Sequence, residues 1–393
     1  MNPISNPYAP GAGTPPAELA GRDELRENIR ISIERIRLRR PAKSIILVGL
    51  RGVGKTVLLD RIRDDAEASG IQTVRIEAPE RRSLPALIAP QLRLALIRLS
   101  RNEQAKELAN KALRGLAGFA TALKVKYSDI EVGLDFEPEP GLADNGDLEL
   151  DLQDLIEAVG NAAAKADTAL VLFIDELQYV KEKELAALIT ALHRAAQRKL
   201  PITLVGAGLP QLRGKMGNAK SYAERLFDFP SIGALSDLDA KAAILNPANA
   251  EGIEISGNAM DEVIAVTQGY PYFLQEWGKH TWDVAQKSPI NAQDVKDASR
   301  LAVAALDESF FRVRFDRLTP SEKKYLRAMS ELGAGPHRSG DIADILDRPV
   351  QALAPTRNNL INKGMIWSPS HGDTAFTVPL FDQFMRRIMP DYS

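Results

Sequence analysis

One eight-residue segment restricts the fold and the chemistry of this 393-residue chain more than any other. Residues 49–56 read Gly-Leu-Arg-Gly-Val-Gly-Lys-Thr, the complete phosphate-binding pattern G-x-x-x-x-G-K-S/T, and an apolar run, residues 44–48, precedes them. In this pattern glycines let consecutive N–H groups turn toward a phosphate, the lysine reaches the β- and γ-phosphates, and the hydroxyl ligates Mg²⁺. The sequence therefore predicts a site for ATP and Mg²⁺. The predicted nucleotide-binding residues are Gly49, Leu50, Arg51, Gly52, Val53, Gly54, Lys55, Thr56 and Val57.

The residues after the glycine-rich segment predict a helix that begins at the phosphate-binding position. Apolar residues recur there at helical spacing, at Val57, Leu58, Leu59 and Ile62. The positive N-terminal end of such a helix would face the phosphates. A glycine-rich turn that binds nothing is the alternative, but a strand before the pattern and a helix after it favour the nucleotide site.

A second apolar run places carboxylates where a parallel strand ends. Residues 171–176 read Val-Leu-Phe-Ile-Asp-Glu, and α/β folds bind their ligands at the carboxyl ends of the strands. We expect Asp175 to hold Mg²⁺ together with Thr56, and Glu176 to orient and deprotonate the attacking water. The alternative is that the two acids only cap the following helix. Lys55 and Glu176 are thus the predicted catalytic residues of this site.

The composition excludes several other classes of protein. The chain has no cysteine, which excludes disulfides, thiolate metal sites and cysteine nucleophiles, and four scattered histidines make a zinc site a poor prediction. No apolar run approaches about 18 residues, and the first residues lack a basic-then-apolar signal, so we expect a cytoplasmic protein with no membrane segment. The net charge of −2 gives no global electrostatic argument for nucleic acid.

Short apolar strands alternate with helical patterns in residues 21–235, which predicts a three-layer αβα domain with a mostly parallel sheet. An extended arm rich in proline and glycine, residues 1–20, precedes this domain. Alternating apolar residues from Leu123 to Phe136, interrupted at Ser128 and Asp129, predict a β-hairpin insertion over about residues 123–136. The predicted strands of the sheet are residues 44–48, 73–76, 171–174 and 202–206.

Four segments of the chain together resemble the AAA+ ATPases. Residues 21–24 (Gly-Arg-Asp-Glu) are similar to the motif before the first helix of that superfamily, and residues 49–56 and 171–176 match its phosphate and Mg²⁺ motifs. Residues 223–227 (Ala-Glu-Arg-Leu-Phe) precede a helical lid. Within the superfamily the chain resembles the origin-recognition replication initiators and the related signal-transduction ATPases with numerous domains. The resemblance implies a P-loop NTPase with a helical lid over residues 236–315.

The same resemblance implies a role for Arg225 and for self-association. By position, Arg225 is similar to the arginine finger that such ATPases insert into the site of a neighbouring subunit, which requires a dimer or a higher assembly. The alternative is that Arg225 forms a salt bridge on the surface or in the lid.

Two departures from the AAA+ pattern matter for the mechanism. The strand ending at residues 205–208 (Val-Gly-Ala-Gly) lacks the polar residue that positions water in typical relatives, although Thr203 lies on the same strand. This departure predicts slow hydrolysis. In the lid, residues 269–272 (Gly-Tyr-Pro-Tyr) stand where initiators usually carry an arginine. They are more similar to the Gly-x-Pro element that touches the nucleotide in signal-transduction ATPases, so Pro271 is a predicted nucleotide contact as well as the first residue of a helix.

The last segment, residues 316–393, predicts three helices followed by a β-hairpin, an order that resembles a winged helix-turn-helix. Its third helix offers Arg357, Asn358 and Lys363, residue types that contact DNA phosphates and base edges. Neighbouring acids nearly cancel this basic charge, and winged helices also dock proteins or inhibit their own ATPase domain. Duplex DNA and a protein are therefore both candidate partners.

These features predict an ATP-binding AAA+ protein that is a weak, assembly-dependent ATPase and couples its nucleotide state to DNA binding or to a partner. The alternative is a signalling or defence switch in which nucleotide exchange matters more than turnover and the winged helix docks a protein or autoinhibits. A DNA-binding regulator with an inactive ATP site is disfavoured by the intact Lys55, Asp175 and Glu176.

Overall fold

The computed structural model describes residues 1–79, 82–130 and 136–391, and the chain divides by its internal contacts into two units. The sheet unit comprises Arg22–Gly49 and Lys55–Ile232. The helical unit comprises Met1–Gly21, Leu50–Gly54 and Gly233–Ser393. Residues 50–54 of the glycine-rich segment thus belong to the helical unit, whereas Gly49, Lys55 and Thr56 belong to the sheet unit.

A sheet of parallel strands forms the middle layer of the sheet unit. The strands are β1 (Ser44–Gly49), β2 (Gln72–Glu77), β3 (Leu170–Asp175), β4 (Ile202–Gly208), β5 (Phe227–Asp228) and β6 (Ser231–Ile232). Their order is β2-β3-β4-β1-β5, and β6 also pairs with β1. Every residue of β1, β3 and β4 is buried, which is typical of parallel strands that are covered on both faces. The four strands predicted from apolar runs are confirmed.

Helices on both sides of the sheet complete the three layers. They are α1 (Asp23–Arg37), α2 (Lys55–Ala68), α3 (Leu84–Leu99), α4 (Lys106–Leu123), α5 (Leu148–Lys165), α6 (Glu182–Gln197), α7 (Leu212–Ala219) and α8 (Ala223–Leu226). Helix α1 packs on α2, whereas α3, α4, α5 and α6 pack in succession. The predicted three-layer αβα fold is confirmed.

The predicted hairpin insertion is wrong in its first half. Leu123 is the last residue of α4, Val125 lies in a turn, and Tyr127 lies in an irregular segment. Leu116, Phe119 and Leu123 are buried along α4 at spacings of three and four residues, so the helical period extends through the position where the alternation begins. The predicted second strand falls mainly on residues 131–135, which lie outside the described residues.

The helical unit contains the remaining α-helices and strands of the described chain. Its helices are α9 (Asp237–Ala250), α10 (Gly257–Thr267), α11 (Pro271–Val284), α12 (Ala292–Ala305), α13 (Arg312–Phe315), α14 (Pro320–Glu331), α15 (Ser339–Ile345), α16 (Val350–Asn362) and α17 (Phe381–Ile388). A π-helical turn joins α12 to α13. Three short strands, β7 (His337–Arg338), β8 (Ile366–Trp367) and β9 (Asp373–Phe376), form an antiparallel sheet in the order β7-β9-β8.

The N-terminal arm is anchored to the helical unit by aromatic contacts. Tyr8 is buried, and its hydroxyl donates to the carbonyl oxygen of Ile244 at 2.6 Å. The Tyr8 ring meets Trp282 edge-on at 6.4 Å, and the Trp282 indole donates to the carbonyl oxygen of Asn2 at 2.9 Å. The composition of the arm did not reveal this anchoring, because proline and glycine content predicts backbone conformation and not tertiary partners.

A cluster of phenylalanines ties the last helix to the π-helical turn within the helical unit. The ring of Phe384 on α17 lies 5.3 Å from that of Phe311 and 5.9 Å from that of Phe315. All three rings are buried. Removal of the residues after α13 would therefore expose apolar surface, so experiments on the C-terminal residues are better done with point variants of the full chain.

Candidate functional site

The sheet unit brings three of the predicted site residues together at the carboxyl ends of β1 and β3. Thr56 Oγ1 donates to Asp175 Oδ2 at 2.7 Å, although 119 residues separate them in sequence. Lys55 is only 7% exposed, and its Nζ donates to the carbonyl oxygen of Gly49 at 3.0 Å. Asp175 is 2% exposed. A buried cation thus lies on the strand-to-helix turn that also carries a hydroxyl paired with a carboxylate.

Two glycines of the glycine-rich segment, residues 49–56, have a backbone conformation that favours glycine. Gly52 and Gly54 have φ of +82° and +86°, in the left-handed region that favours glycine. A Cβ built on Gly54 would meet no described atom within 4 Å, so open space lies beside this residue. Of the predicted contacts around them, Val53 is buried, and Leu50 and Val57 are half-buried.

Glu176 follows β3 in an uncommon backbone conformation. Its φ and ψ are 53° and 35°, and its N–H donates to Asp175 Oδ1 at 2.8 Å. A non-glycine residue in the left-handed region costs conformational free energy and persists only where neighbouring contacts hold it. The turn that carries the predicted base is therefore defined by the structure around it.

Gln178 supplies contacts of this kind and is not among the residues predicted from the sequence. Its Nε2 donates to Glu176 Oε2, and its Oε1 accepts from the N–H of Leu209 at 3.1 Å. Lys215 of α7 donates to the carbonyl oxygens of Gln178 and Val180 at 2.7 and 2.5 Å, and burial lowers the pKa of Lys215 below its ordinary value. The only sequence signal is an amide residue two positions after Glu176. It does not predict a role for Gln178 unless its partners, Glu176 and Leu209, are known.

Arg75 is a second residue that sequence reasoning missed. It lies on β2, and its Nη2 is 3.5 Å from Asp175 Oδ2 while its Nε donates to Asp60 Oδ1 at 2.7 Å. The parallel register pairs Glu77 of β2 with Asp175, which brings the end of β2 to the same edge of the sheet. Arg75 thus places positive charge beside the carboxylate that we predicted to bind Mg²⁺.

Thr203 lies away from the carboxyl edge of the sheet. It is the second residue of β4, and its hydroxyl forms a 3.1 Å hydrogen bond with Ser44 Oγ at the start of β1. In a parallel sheet the beginnings of strands lie at the edge opposite to their ends. Thr203 therefore cannot substitute for a polar residue at the end of β4.

Arg225 lies on α8 immediately before β5, and its side chain is exposed. Within the described ranges it forms no side-chain hydrogen bond or ion pair, so the salt bridge that was the alternative explanation is not observed there. An exposed guanidinium without a local partner is available to another molecule.

In the helical unit, two tyrosines contact residues 50–54, the middle of the glycine-rich segment. The N–H of Tyr272 donates to the carbonyl oxygen of Gly52 at 3.1 Å, and the Tyr270 hydroxyl donates to that of Arg51. Burial raises the pKa of Tyr270, which keeps this donor protonated. A Cβ on Gly52 would lie 3.0 Å from the Tyr270 ring and 3.1 Å from Tyr272 Cβ. The Arg51 N–H also donates to the carbonyl oxygen of Thr377 at 3.3 Å.

Pro271 lies between these two tyrosines and is the first residue of α11. The prediction that Pro271 begins a helix is confirmed. The fixed φ of proline suits the first turn of a helix, where the missing N–H has no intrahelical acceptor.

Arg314 adds a cation to the helical unit that sequence reasoning did not select. Its guanidinium carbon lies 4.1 Å from the centre of the Phe310 ring, and its Nη1 donates to the Phe310 carbonyl oxygen. No carboxylate pairs with Arg314 in the part of the chain that is described. Burial, and after it the charge of Arg51, lowers the pKa of Arg314 to about 10. Two cations thus raise the local positive potential.

Two of the three predicted DNA contacts are bonded within the helical unit. Arg357 Nε donates to Thr374 Oγ1 at 2.9 Å, which braces α16 against β9. Lys363 Nζ pairs with Glu322 Oε2 at 2.7 Å. Asn358 is exposed on α16. The sequence could not anticipate these pairings, because each partner comes from another element.

The described residues contain no group of three or more His, Cys, Asp or Glu side chains that could hold a metal alone. The two oxygens of Thr56 and Asp175 nevertheless fit Mg²⁺, which is commonly held by one or two protein ligands together with phosphate oxygens and water. Among the helices of the described residues, none has the length and apolar character needed to span a bilayer.

Comparison with known proteins agrees with this geometry. Residues 18–205 match the AAA ATPase domain family, and residues 308–385 match a domain of unknown function. No curated protein matches the chain. Among solved structures the chain is similar to the Walker-type ATPase PABY2304 of Pyrococcus abyssi, with 16% sequence identity and a TM-score of 0.58, over 94% of this chain and 96% of that one.

Two other solved structures are similar over most of their length. The ORC1 protein of Aeropyrum pernix in complex with DNA has 14% identity and a TM-score of 0.47, with 95% of this chain and 94% of that chain covered. The RuvB Holliday junction branch migration motor of Thermotoga maritima has 16% identity and a TM-score of 0.45, with 93% and 96% covered. The domain match and the Pyrococcus abyssi structure identify the fold as that of an AAA+ P-loop NTPase, a nucleotide-binding fold.

Proposed function

We propose that this chain, whose residues 18–205 match the AAA ATPase domain family, binds ATP with Mg²⁺ and hydrolyses it slowly as part of an assembly. Its nucleotide state would control what residues 316–393 engage. The observation that supports this best is the 2.7 Å hydrogen bond between Thr56 and Asp175 beside the buried Lys55. Two oxygens of the kind that bind Mg²⁺ and one buried cation meet at the sheet edge where α/β folds bind ligands.

Each residue of the site has a separate proposed role in ATP hydrolysis. Thr56 and Asp175 would hold Mg²⁺, and Lys55 would bind the β- and γ-phosphates. When bound, Mg²⁺ neutralises charge that develops on the phosphate oxygens. Glu176 would accept the proton of the attacking water at its carboxylate. Pro271 is our proposed contact to the nucleotide from α11.

Slow turnover follows from the end of β4. Residues 205–208 carry no polar side chain there, and Thr203 is bonded to Ser44 at the opposite edge. A water molecule that is poorly oriented for attack reacts more slowly, because orientation contributes a large part of the rate enhancement in phosphoryl transfer.

Residues 316–393 support the proposal of a C-terminal winged helix. The order is α14, β7, α15, α16, then the hairpin of β8 and β9, with β9 between the other two strands. Asn358 on the exposed side of α16 would contact base edges. Lys363 would reach a phosphate by exchanging its pair with Glu322. Either duplex DNA or a protein would then be the partner of this segment.

A second candidate function is a nucleotide switch, and one observation within the helical unit favours it. The N–H of Arg51 donates to the carbonyl oxygen of Thr377, just after β9, and the Arg51 Nε lies 3.5 Å from the carbonyl oxygen of Gly364. Residues 50–54 belong to the phosphate-binding segment, so a change in their conformation would be transmitted to residues 364–377. In this alternative nucleotide exchange, and not turnover, would control the C-terminal segment.

The ATPase rate as a function of protein concentration, with and without duplex DNA, tests the proposal. We expect the rate per subunit to rise with concentration, because a finger such as Arg225 acts only in an assembly. Duplex DNA should stimulate it further if the partner is DNA. A rate that is independent of concentration and of DNA, together with tightly bound ADP in the purified protein, would support the switch instead.

Arg225 is proposed as the residue that completes the site of a neighbouring subunit. A mixture of Arg225→Ala and Glu176→Gln proteins should recover part of the ATPase activity that each lacks alone. In a mixed assembly one interface combines the intact Arg225 of one subunit with the intact Glu176 of the next. The rate of the mixture at a fixed total concentration measures this recovery.

The matched control for the mixing experiment is Arg213→Ala combined with Glu176→Gln. Arg213 also lies in the sheet unit, and its guanidinium donates to the carbonyl oxygen of Phe229 within the chain. A mixture containing Arg225→Ala that stays as inactive as its components, although co-purification through a tag on one variant shows mixed assembly, would remove Arg225 from the proposed site.

A further inference from the structure

Gln178 connects the proposed base to the end of β4. Its side-chain N–H donates to the carboxylate of Glu176, and its side-chain oxygen accepts from the N–H of Leu209, the first residue after β4. The side chain is buried. The N–H group and the oxygen of one side-chain amide are therefore both hydrogen-bonded, the first to Glu176 and the second to Leu209. Because the amide is buried, leaving either group without a partner would cost free energy.

We propose that Gln178 is a positioning residue that holds the carboxylate of Glu176 and ties it to the end of β4. It would supply the polar side chain that the end of β4, residues 205–208, lacks. The inference rests on the proposed function, because the orientation of Glu176 affects turnover only if Glu176 is the general base.

Two glycines of β4 make the space that Gln178 and its turn occupy. A Cβ on Gly208 would lie 2.8 Å from Gln178 Oε1, and a Cβ on Gly206 would lie 2.4 Å from Leu177 Cδ1. Separations below about 3.0 Å do not occur at real Cβ atoms. A side chain at Gly208 would have to displace the Gln178 amide oxygen, and one at Gly206 the end of the Leu177 side chain. The absence of a Cβ at these two positions thus leaves room for the Gln178 amide beside the end of β4.

The turn around Gln178 is held from its other side by Lys215. The Lys215 ammonium donates to the carbonyl oxygens of Gln178 and Val180, which fixes the backbone on which both Glu176 and Gln178 stand. Glu176 is itself in the left-handed conformation. Loss of the amide would free the Glu176 side chain while Lys215 keeps the backbone in place, so the effect should fall on turnover and not on nucleotide binding.

Gln178→Met in the full chain tests this role, because methionine keeps the length of the side chain and removes both hydrogen bonds. We expect kcat to fall about 10- to 100-fold, the effect of a misplaced catalytic group. KM and the affinity for ATP with Mg²⁺ should stay within about twofold of the parent. Gln178→Asn, which keeps the amide but is too short to reach both partners, should lose a similar factor. Gln197→Met, the same change at an exposed glutamine of α6, should keep the parental rate.

A double variant separates positioning from a general structural effect. If Gln178 acts through Glu176, adding Gln178→Met to Glu176→Gln should lower the residual rate no further. Parental or higher kcat in both Gln178 variants, or a further loss in the double variant, would overturn the inference. If Glu176→Gln loses hydrolysis while the Gln178 variants do not, only the inference fails. If Glu176→Gln itself keeps the parental rate, the proposed role of Glu176 fails and the inference fails with it.

Discussion

Lys55→Ala is expected to raise the Kd for ATP by about 30- to 4,000-fold, which corresponds to about 2–5 kcal/mol for truncating one member of a buried charged contact. Lys55 is the side-chain cation that the motif supplies to the β- and γ-phosphates. In the structure it is buried at the start of α2, so alanine leaves a position that solvent cations reach poorly. The loss should appear in binding before any step of hydrolysis.

Isothermal titration with ATP and Mg²⁺ measures this change. Lys183→Ala removes the same charge from an exposed position of α6 and should bind ATP as the parent does. Thermal unfolding in the absence of nucleotide checks that Lys55→Ala is folded. Unchanged ATP affinity in the folded variant would remove the nucleotide site from residues 49–56.

The strands and the site segments could be predicted from the sequence because their signals are local. β1 and β3 are apolar runs that end directly in the residues of the site, so strand, turn and chemistry are contiguous in the chain. The meeting of Thr56 with Asp175 needs only one further rule, that parallel strands end at the same edge of a sheet. Local pattern and global topology agree at these positions.

The predicted hairpin is wrong because two sequence periods, the alternation of a strand and the spacing of a helix, overlap at Leu123. Leu123 satisfies both the alternation that follows it and the helical spacing that precedes it, and the helix α4 already buries that face. A helix of 18 residues gains from extending its buried face by one more position, whereas an isolated hairpin gains little. Sequence periodicity alone does not show which of these two structures is the more stable.

The partners of the polar side chains could not be predicted for a different reason. Gln178 needs the N–H of Leu209, and Lys363 needs Glu322, and both pairs depend on the placement of separate elements. A basic residue on a predicted recognition helix looks free in the sequence, yet Lys363 already forms an ion pair with Glu322 within the fold. Residue type therefore predicted that these side chains can form hydrogen bonds or ion pairs. The structure shows which partners they have within the chain.

Glu176→Gln is expected to bind ATP with the parental affinity and to hydrolyse it about 10²- to 10⁴-fold more slowly, the usual contribution of a general base. The amide keeps the shape of the side chain, and its oxygen can still accept the hydrogen bond from Gln178 Nε2. What is lost is the ability to take a proton from water. The ATP-bound assembly should therefore accumulate.

Steady-state ATPase rates and the nucleotide retained after gel filtration measure the two halves of this prediction. Glu182→Gln, the same change at an exposed position of α6, should keep the parental rate. If Glu176→Gln matches that control, Glu176 only caps the turn after β3 and the base lies elsewhere. If instead it binds no ATP, the carboxylate contributes to the binding site itself, since an amide of the same shape removes only the charge and one of the two acceptor oxygens.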